Sequence, residues 1–142
     1  MSEVVYNRGK LRIVAGDTPL DSADLRMLLI VGASLPAGWD DVDLDTVADL
    51  DAVSGLTIHT ERVALTSLTA TQDDTNNRAN ADSADVVFAA SVGVTAQAAV
   101  IYDHAAGGSD AARYLITGHS TGFPAVMDGG LNVGVTDWLR AT

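Results

Sequence analysis

Ala98-Ala99-Val100-Ile101-Tyr102, then Asp103–Asp110 with Gly107-Gly108, then Arg113-Tyr114-Leu115-Ile116-Thr117: this stretch reads as a strand, a hairpin loop and a returning strand. Glycines punctuate the gap between the two runs. Upstream, Val63-Ala64-Leu65-Thr66-Ser67-Leu68-Thr69 is β-branched and partly alternating, Asp73–Ser83 is polar loop, and Val86-Val87-Phe88 makes another strand. Downstream, Asp128-Gly129-Gly130 is a tight turn. Leu131-Asn132-Val133-Gly134-Val135 then alternates cleanly, and Trp138-Leu139-Arg140 closes the chain. Short strands separated by regular turn signals predict a mainly β fold, an antiparallel β-sandwich or barrel. No long helical period alternates with the strands, which counts against a parallel α/β fold.

Towards the N-terminus the signals are sparser. Lys10-Leu11-Arg12-Ile13-Val14 alternates like a half-buried strand, and Gly16-Asp17-Thr18-Pro19 ends it as a turn. Leu25–Val31 is a short apolar run bounded by Gly32 and reads as a buried strand. Pro36, Gly38 and the acidic run Asp40–Asp45 form a loop. The one short α-helix is expected near 46–53, capped by Asp45, with Val47, Leu50 and Val53 three residues apart and Gly55 as its stop. The organisation expected is an N-terminal strand or attachment arm over 1–14 and a single β domain over 15–142.

Composition bounds the function. At 142 residues and 47% apolar, the chain can bury one real core without staples. It holds only two Phe, three Tyr and two Trp, a poor supply for a base-stacking surface. A net charge of -11 repels phosphate backbones and anionic lipid, so no nucleic acid and no membrane surface is expected as a partner. The excess is nearly all Asp: Glu occurs only at Glu3 and Glu61, and Lys only at Lys10, which suits a high-GC or a halophilic source. There is no cysteine, which excludes disulfides and thiolate metal sites. No signal-peptide layout and no run of roughly 18 apolar residues is present, so a soluble, cytosolically made protein is expected. The charge is polarised: Arg8, Lys10 and Arg12 face a single acid, Glu3, within residues 1–12, and the rest is strongly negative.

Candidate chemistry is thin. Gly118-His119-Ser120-Thr121-Gly122 matches the G-x-S-x-G nucleophile elbow and follows an apolar strand. The elbow needs a helix after the serine and a histidine later in the chain. Phe123-Pro124 and Asp128-Gly129-Gly130 follow instead, and no histidine follows Ser120. His59, His104 and His119 are scattered, with no i, i+4 pair to suggest a metal site. Asp73-Asp74-Thr75-Asn76-Asn77, with Asp82 and Asp85, offers oxygen ligands for calcium but lacks the glycine and terminal Glu of an EF-hand, so a polar loop is the simpler reading. Gly107-Gly108 and Gly129-Gly130 lack the third glycine and the helix of a phosphate loop. No catalytic residue, cofactor or metal ligand is therefore expected, and the chain reads as a non-enzyme.

One resemblance bears on the role. Val63–Asp85, running through Asp73-Asp74-Thr75-Asn76-Asn77-Arg78-Ala79-Asn80-Ala81-Asp82 into Val86-Val87-Phe88, resembles small β-rich structural proteins of tailed phages. So do the later order Ala98–Asp103, Tyr114-Leu115-Ile116 and the ending Gly129-Gly130-Leu131-Asn132-Val133 to Trp138-Leu139-Arg140. In those proteins a strand leads into a D-x-x-N-x-R-A-type loop, and a Gly-Gly turn opens the final strand pair. The resemblance implies a virion structural protein made in the host cytoplasm that decorates and stabilises the outer face of a tailed-virus capsid. It implies the major capsid protein as partner and a homo-oligomer, with a trimer favoured by threefold capsid positions. The attachment element expected is Glu3–Val14, by strand addition or through Arg8, Lys10 and Arg12 meeting acidic capsid residues. The alternative is a tail or fibre component that binds a host glycan, for which Trp39 and Trp138 are the available platforms.

Overall fold

Apart from Arg26 near its start, Leu25–Val31 is apolar because it is covered on both faces. In the computed structural model, which describes residues 3–134 and 137–141, Leu25, Met27 and Leu29 enter one core cluster. Leu28 and Ile30 enter a second cluster on the opposite face. Side chains alternate across a strand, so a strand buried on both sides loses the polar half of its pattern.

The elements run β1 (Glu3–Val5), α1 (Asn7–Ala15), β2 (Leu25–Val31), α2 (Val47–Asp51), β3 (Val63–Ala64), β4 (Thr69–Asp73) and β5 (Arg78–Asp82). Next come β6 (Val86–Phe88), β7 (Thr95–Asp103), a 3-10 turn (Asp110–Ala112), β8 (Tyr114–His119), β9 (Ala125–Val126), β10 (Leu131–Val133) and β11 (Leu139–Ala141). The main sheet is ordered β1-β8-β7-β2-β3, with β9 paired to the start of β7. Every pairing is antiparallel, with Met27 opposite Ile101 and Ile101 opposite Thr117. The β7–β8 register skips Ile116, a bulge that lets Leu115 and Ile116 serve opposite cores.

Two small sheets, β11-β5-β4 and β10-β6, cover one face. Ala81, Val86, Phe88, Val133, Trp138 and Leu139 are their contribution to the core. α2 and the loops on either side of it cover the other face with Trp39, Val47, Leu50 and Leu56. The fold is thus mainly β and antiparallel, as expected, with an open main sheet packed as a sandwich on one side.

Four local expectations are corrected. Lys10–Val14 is helical, inside α1, and Gly16 is its left-handed C-cap (φ 80), bonding back to Arg12 and Ile13. The alternation there misled because Leu11 and Val14 face out of the protein. Residues 3–14 accordingly form a strand and then a helix: β1 pairs with β8, and Val4 and Tyr6 are core residues. The short helix is found at Val47–Asp51, but its cap is Thr46 in a capping box with Asp49, not Asp45. Val63–Thr69 is interrupted: Val63–Ala64 is β3, Ser67 takes a positive φ of 54, and β4 begins at Thr69. Asp73–Ser83 is not loop throughout. β4 and β5 form a hairpin closed by Asp73 opposite Arg78. Its polar sequence conceals it, since Thr69–Gln72 is solvated on both faces. Val135, expected to extend β10, lies outside the described residues.

Candidate attachment surface

α1 is held against the main sheet by its inner side. Gly9 packs so closely on β8 that a Cβ there would stand 2.6 Å from the Leu115 carbonyl oxygen and 2.8 Å from Ile116 Cα. Arg8 and Arg12, one helical turn apart, both lie over the Tyr114 ring, at 5.1 and 4.7 Å from its centroid. Arg12 goes further: its Nη2 donates to Asp103 Oδ2 at 3.2 Å, and its Nε donates to Thr18 Oγ1 at 3.2 Å. The Thr18 hydroxyl in turn donates to the same Asp103 oxygen at 2.6 Å, and the Ala106 amide donates to the other at 3.2 Å. Asp103 is 2% exposed, so this is a buried, hydrogen-bonded ion pair that ties helix, turn and strand end together.

The outer side carries Asn7, Lys10, Leu11 and Val14, spaced three and four apart on one stripe. Leu11 is 55% and Val14 87% exposed, and Lys10 Nζ donates to Asn7 Oδ1 at 3.3 Å. At the helix start, the Asn7 amide bonds to the Val42 carbonyl and its side chain to Asp43, so the acidic loop docks beside the stripe. Of the three basic residues expected to grip a partner, the structure turns Arg8 and Arg12 inward and leaves Lys10 outward. Leu11 and Val14 join Lys10 on the outer side, which their apolar character did not suggest. Arg12 in the last turn, just before the stop glycine Gly16, was the sequence signal that could have revealed the helix.

Other charged groups are used structurally. Arg62 grips Asp110 with both Nη atoms, the Nη2 bond being 2.7 Å, and Arg113 adds a bond of 3.1 Å to the same carboxylate. The Arg62 bond, followed by that of Arg113, holds the Asp110 carboxyl below the usual range. The cluster sits over Tyr102, whose hydroxyl lies 3.4 Å from His104 Nδ1. Desolvation, then Arg26 and Arg113, push the His104 ring towards neutrality. In the Asp73–Asn77 segment, weighed for calcium and read as a polar loop, Asp73 accepts from Asn76 and from Arg78 Nε at 3.0 Å, which commits its oxygens to the hairpin turn. Among the described residues no group of three His, Asp or Glu is placed to hold a metal ion.

The Gly118-His119-Ser120-Thr121-Gly122 match is packing at a strand end. Gly118 and His119 belong to β8. A Cβ at Gly118 would fall 2.7 Å from Trp39 and 2.8 Å from Val4, which explains the glycine without catalysis. His119 is largely buried, with Nε2 3.0 Å from Thr117 Oγ1, and burial lowers its pKa to about 4. The chain then turns into β9, with no helix behind Ser120. His59 and His104 have their own local contacts, with Ser91 and Tyr102 respectively.

Both tryptophans are interior: Trp39 is 4% and Trp138 0% exposed, so neither forms the glycan platform that the fibre alternative requires. Tyr6 donates its hydroxyl to the Trp39 carbonyl at 2.8 Å, and burial pushes the phenol pKa well above its usual value. A shallow groove of about 390 Å³ at the far end of the sheet is lined by small uncharged residues, among them Gly32, Thr57 and Thr95. No helix among the described residues is long and apolar enough to cross a membrane. No protein-family model matches the chain, and no curated protein or solved structure matches it either.

Proposed function

We propose that this chain is a non-enzymatic virion protein that decorates the outer face of a tailed-virus capsid and attaches through α1. The observation that carries the reading is the two-sided construction of that helix. Its inner side is fixed by Gly9, the Tyr114 stack and the Arg12–Asp103 pair. Its outer side presents Leu11 and Val14 beside Lys10. A helix fixed this firmly, yet exposing two large aliphatic side chains, is pre-organised for docking. The phage resemblance of residues 63–140 supplies the partner class, the major capsid protein. The mechanism is interfacial: a rigid β domain adds buried area at many equivalent lattice positions, and repetition multiplies weak contacts.

The test is quantitative mass spectrometry of purified virus particles carrying either the wild-type chain or Leu11→Asp/Val14→Asp. Hundreds of wild-type copies per particle, lost in a variant of unchanged thermal stability, is the expected result. A few copies per particle would assign the chain to the tail. Absence from particles would refute the virion reading, and full occupancy by the variant would refute attachment through α1.

A further inference from the structure

The hairpin strand β4 is an edge of an unusual kind for this molecule. Thr69, Ala70, Thr71 and Gln72 are all exposed, and among the described residues β4 pairs only with β5. The other short strands are not comparable templates: β1, β3, β6, β9, β10 and β11 are two or three residues long, and β1 leads straight into α1. β4 spans five residues in unbroken register with β5, from Thr69 opposite Asp82 to Asp73 opposite Arg78, with no bulge. Between Thr69 and Gln72 it holds no charge and no proline. Folded proteins normally blunt such an edge with a lysine, a proline or a bulge, because its unpaired N–H and C=O groups template further pairing.

We propose that β4 is a self-association edge, pairing antiparallel with β4 of a second copy about a twofold axis through Thr71. The sequence complements itself in that register. Thr71 meets Thr71 of the other copy, Ala70 meets Gln72, and Thr69 meets Asp73. This register pairs all five residues. It keeps the one ionised side chain of the strand, Asp73, away from its own equivalent. Arg78, with Nε 3.0 Å from Asp73 Oδ2, already balances that charge within each copy. Threonine opposite threonine is a favourable cross-strand pair. The small sheet β11-β5-β4 thereby becomes one six-stranded sheet across the dyad, a closed isologous contact. The assembly is a dimer, in contrast to the trimer that the phage resemblance implies, and it holds whether or not the chain decorates a capsid.

The experiment is sedimentation equilibrium of the purified wild-type chain, Thr71→Lys, Thr71→Glu and an equimolar mixture of the two variants, up to millimolar concentration. Each variant sets like charges directly opposite one another, so each alone should dimerise roughly five- to tenfold more weakly than wild type. The mixture should recover wild-type association or better, since Lys then faces Glu. Thr71 is exposed, and unchanged circular dichroism and melting of each variant separates lost pairing from lost folding. A wild type that is monomeric throughout, or trimeric, overturns the proposal. So does a dimer that Thr71→Lys leaves intact, or a mixture that fails to recover.

Discussion

Replacing Asp103 with alanine tests the claim that one buried ion pair fixes α1 to the sheet. The carboxylate side chain is 3% exposed and that of Arg12 is 16% exposed. The substitution removes the acceptor for Arg12 Nη2, for the Thr18 hydroxyl and for the Ala106 amide. Removing one member of a buried pair costs about 3–5 kcal/mol, chiefly because the remaining charge loses its compensation. Arg12 keeps some solvent and a distant contact of 3.9 Å to Asp17, whose side chain is 60% exposed, so the lower end applies, about 3 kcal/mol. With an unfolding entropy near 2.1 cal/mol/K per residue, a 142-residue chain should lose about 10 °C in Tm. Thermal melts of Asp103→Ala, Arg12→Ala and the double variant provide the assay. The double variant should fall short of the summed single losses by about 1–3 kcal/mol, because each single change already destroys the pair. A loss under 3 °C for Asp103→Ala, or strict additivity, would refute the reasoning and leave α1 held by other contacts.

Two further predictions concern packing and pH. Gly9→Ala should destabilise by about 1–3 kcal/mol, because its Cβ would overlap the Leu115 and Ile116 backbone, whereas helix propensity alone favours alanine by about 1 kcal/mol. The sign therefore decides: a raised Tm in the alanine variant would show that α1 does not sit on β8 as described. His119 is neutral in the folded state, with its pKa lowered by burial to about 4 against 6.5 in the unfolded chain. The unfolded state then binds the proton first, so the stabilisation is complete above pH 6.5 and drains away as pH falls towards 4. Between pH 7.5 and 4.5 that difference is worth about 2–3 kcal/mol. Urea unfolding at pH 7.5 and 4.5 should show that loss in wild type and its absence in His119→Gln. Equal losses in both would exclude His119 as the titrating group.

What the residues determined by themselves is the β character and the centre of the main sheet. Leu25–Val31 apart from Arg26, Ala98–Tyr102 and Tyr114–Thr117 are largely apolar, rich in β-branched residues and bounded by turn residues, and they form the three neighbouring strands β2, β7 and β8. The failure of Gly118-His119-Ser120-Thr121-Gly122 as an elbow was also legible, since glycine-rich turn chemistry follows where a helix is needed. These signals are local, and burial on both faces only strengthens them.

Tertiary structure alone decided the rest. Arg8 and Arg12 looked like a basic patch because Glu3 is the one acid within residues 1–12. Their partners, Tyr114 and Asp103, lie about a hundred positions away along the chain and meet them only once β7 and β8 are side by side. The same folding turns the apolar Leu11 and Val14 outward, the reverse of what hydrophobicity predicts, because the short helix packs through Gly9 and its arginines. The β4 edge follows the same rule. Thr69–Gln72 is a polar sequence whose strand state depends on β5 beside it, and whose openness depends on no other strand among the described residues reaching it. Local pattern specifies what is buried on both sides; which surface is left to meet a partner is set by long-range pairing.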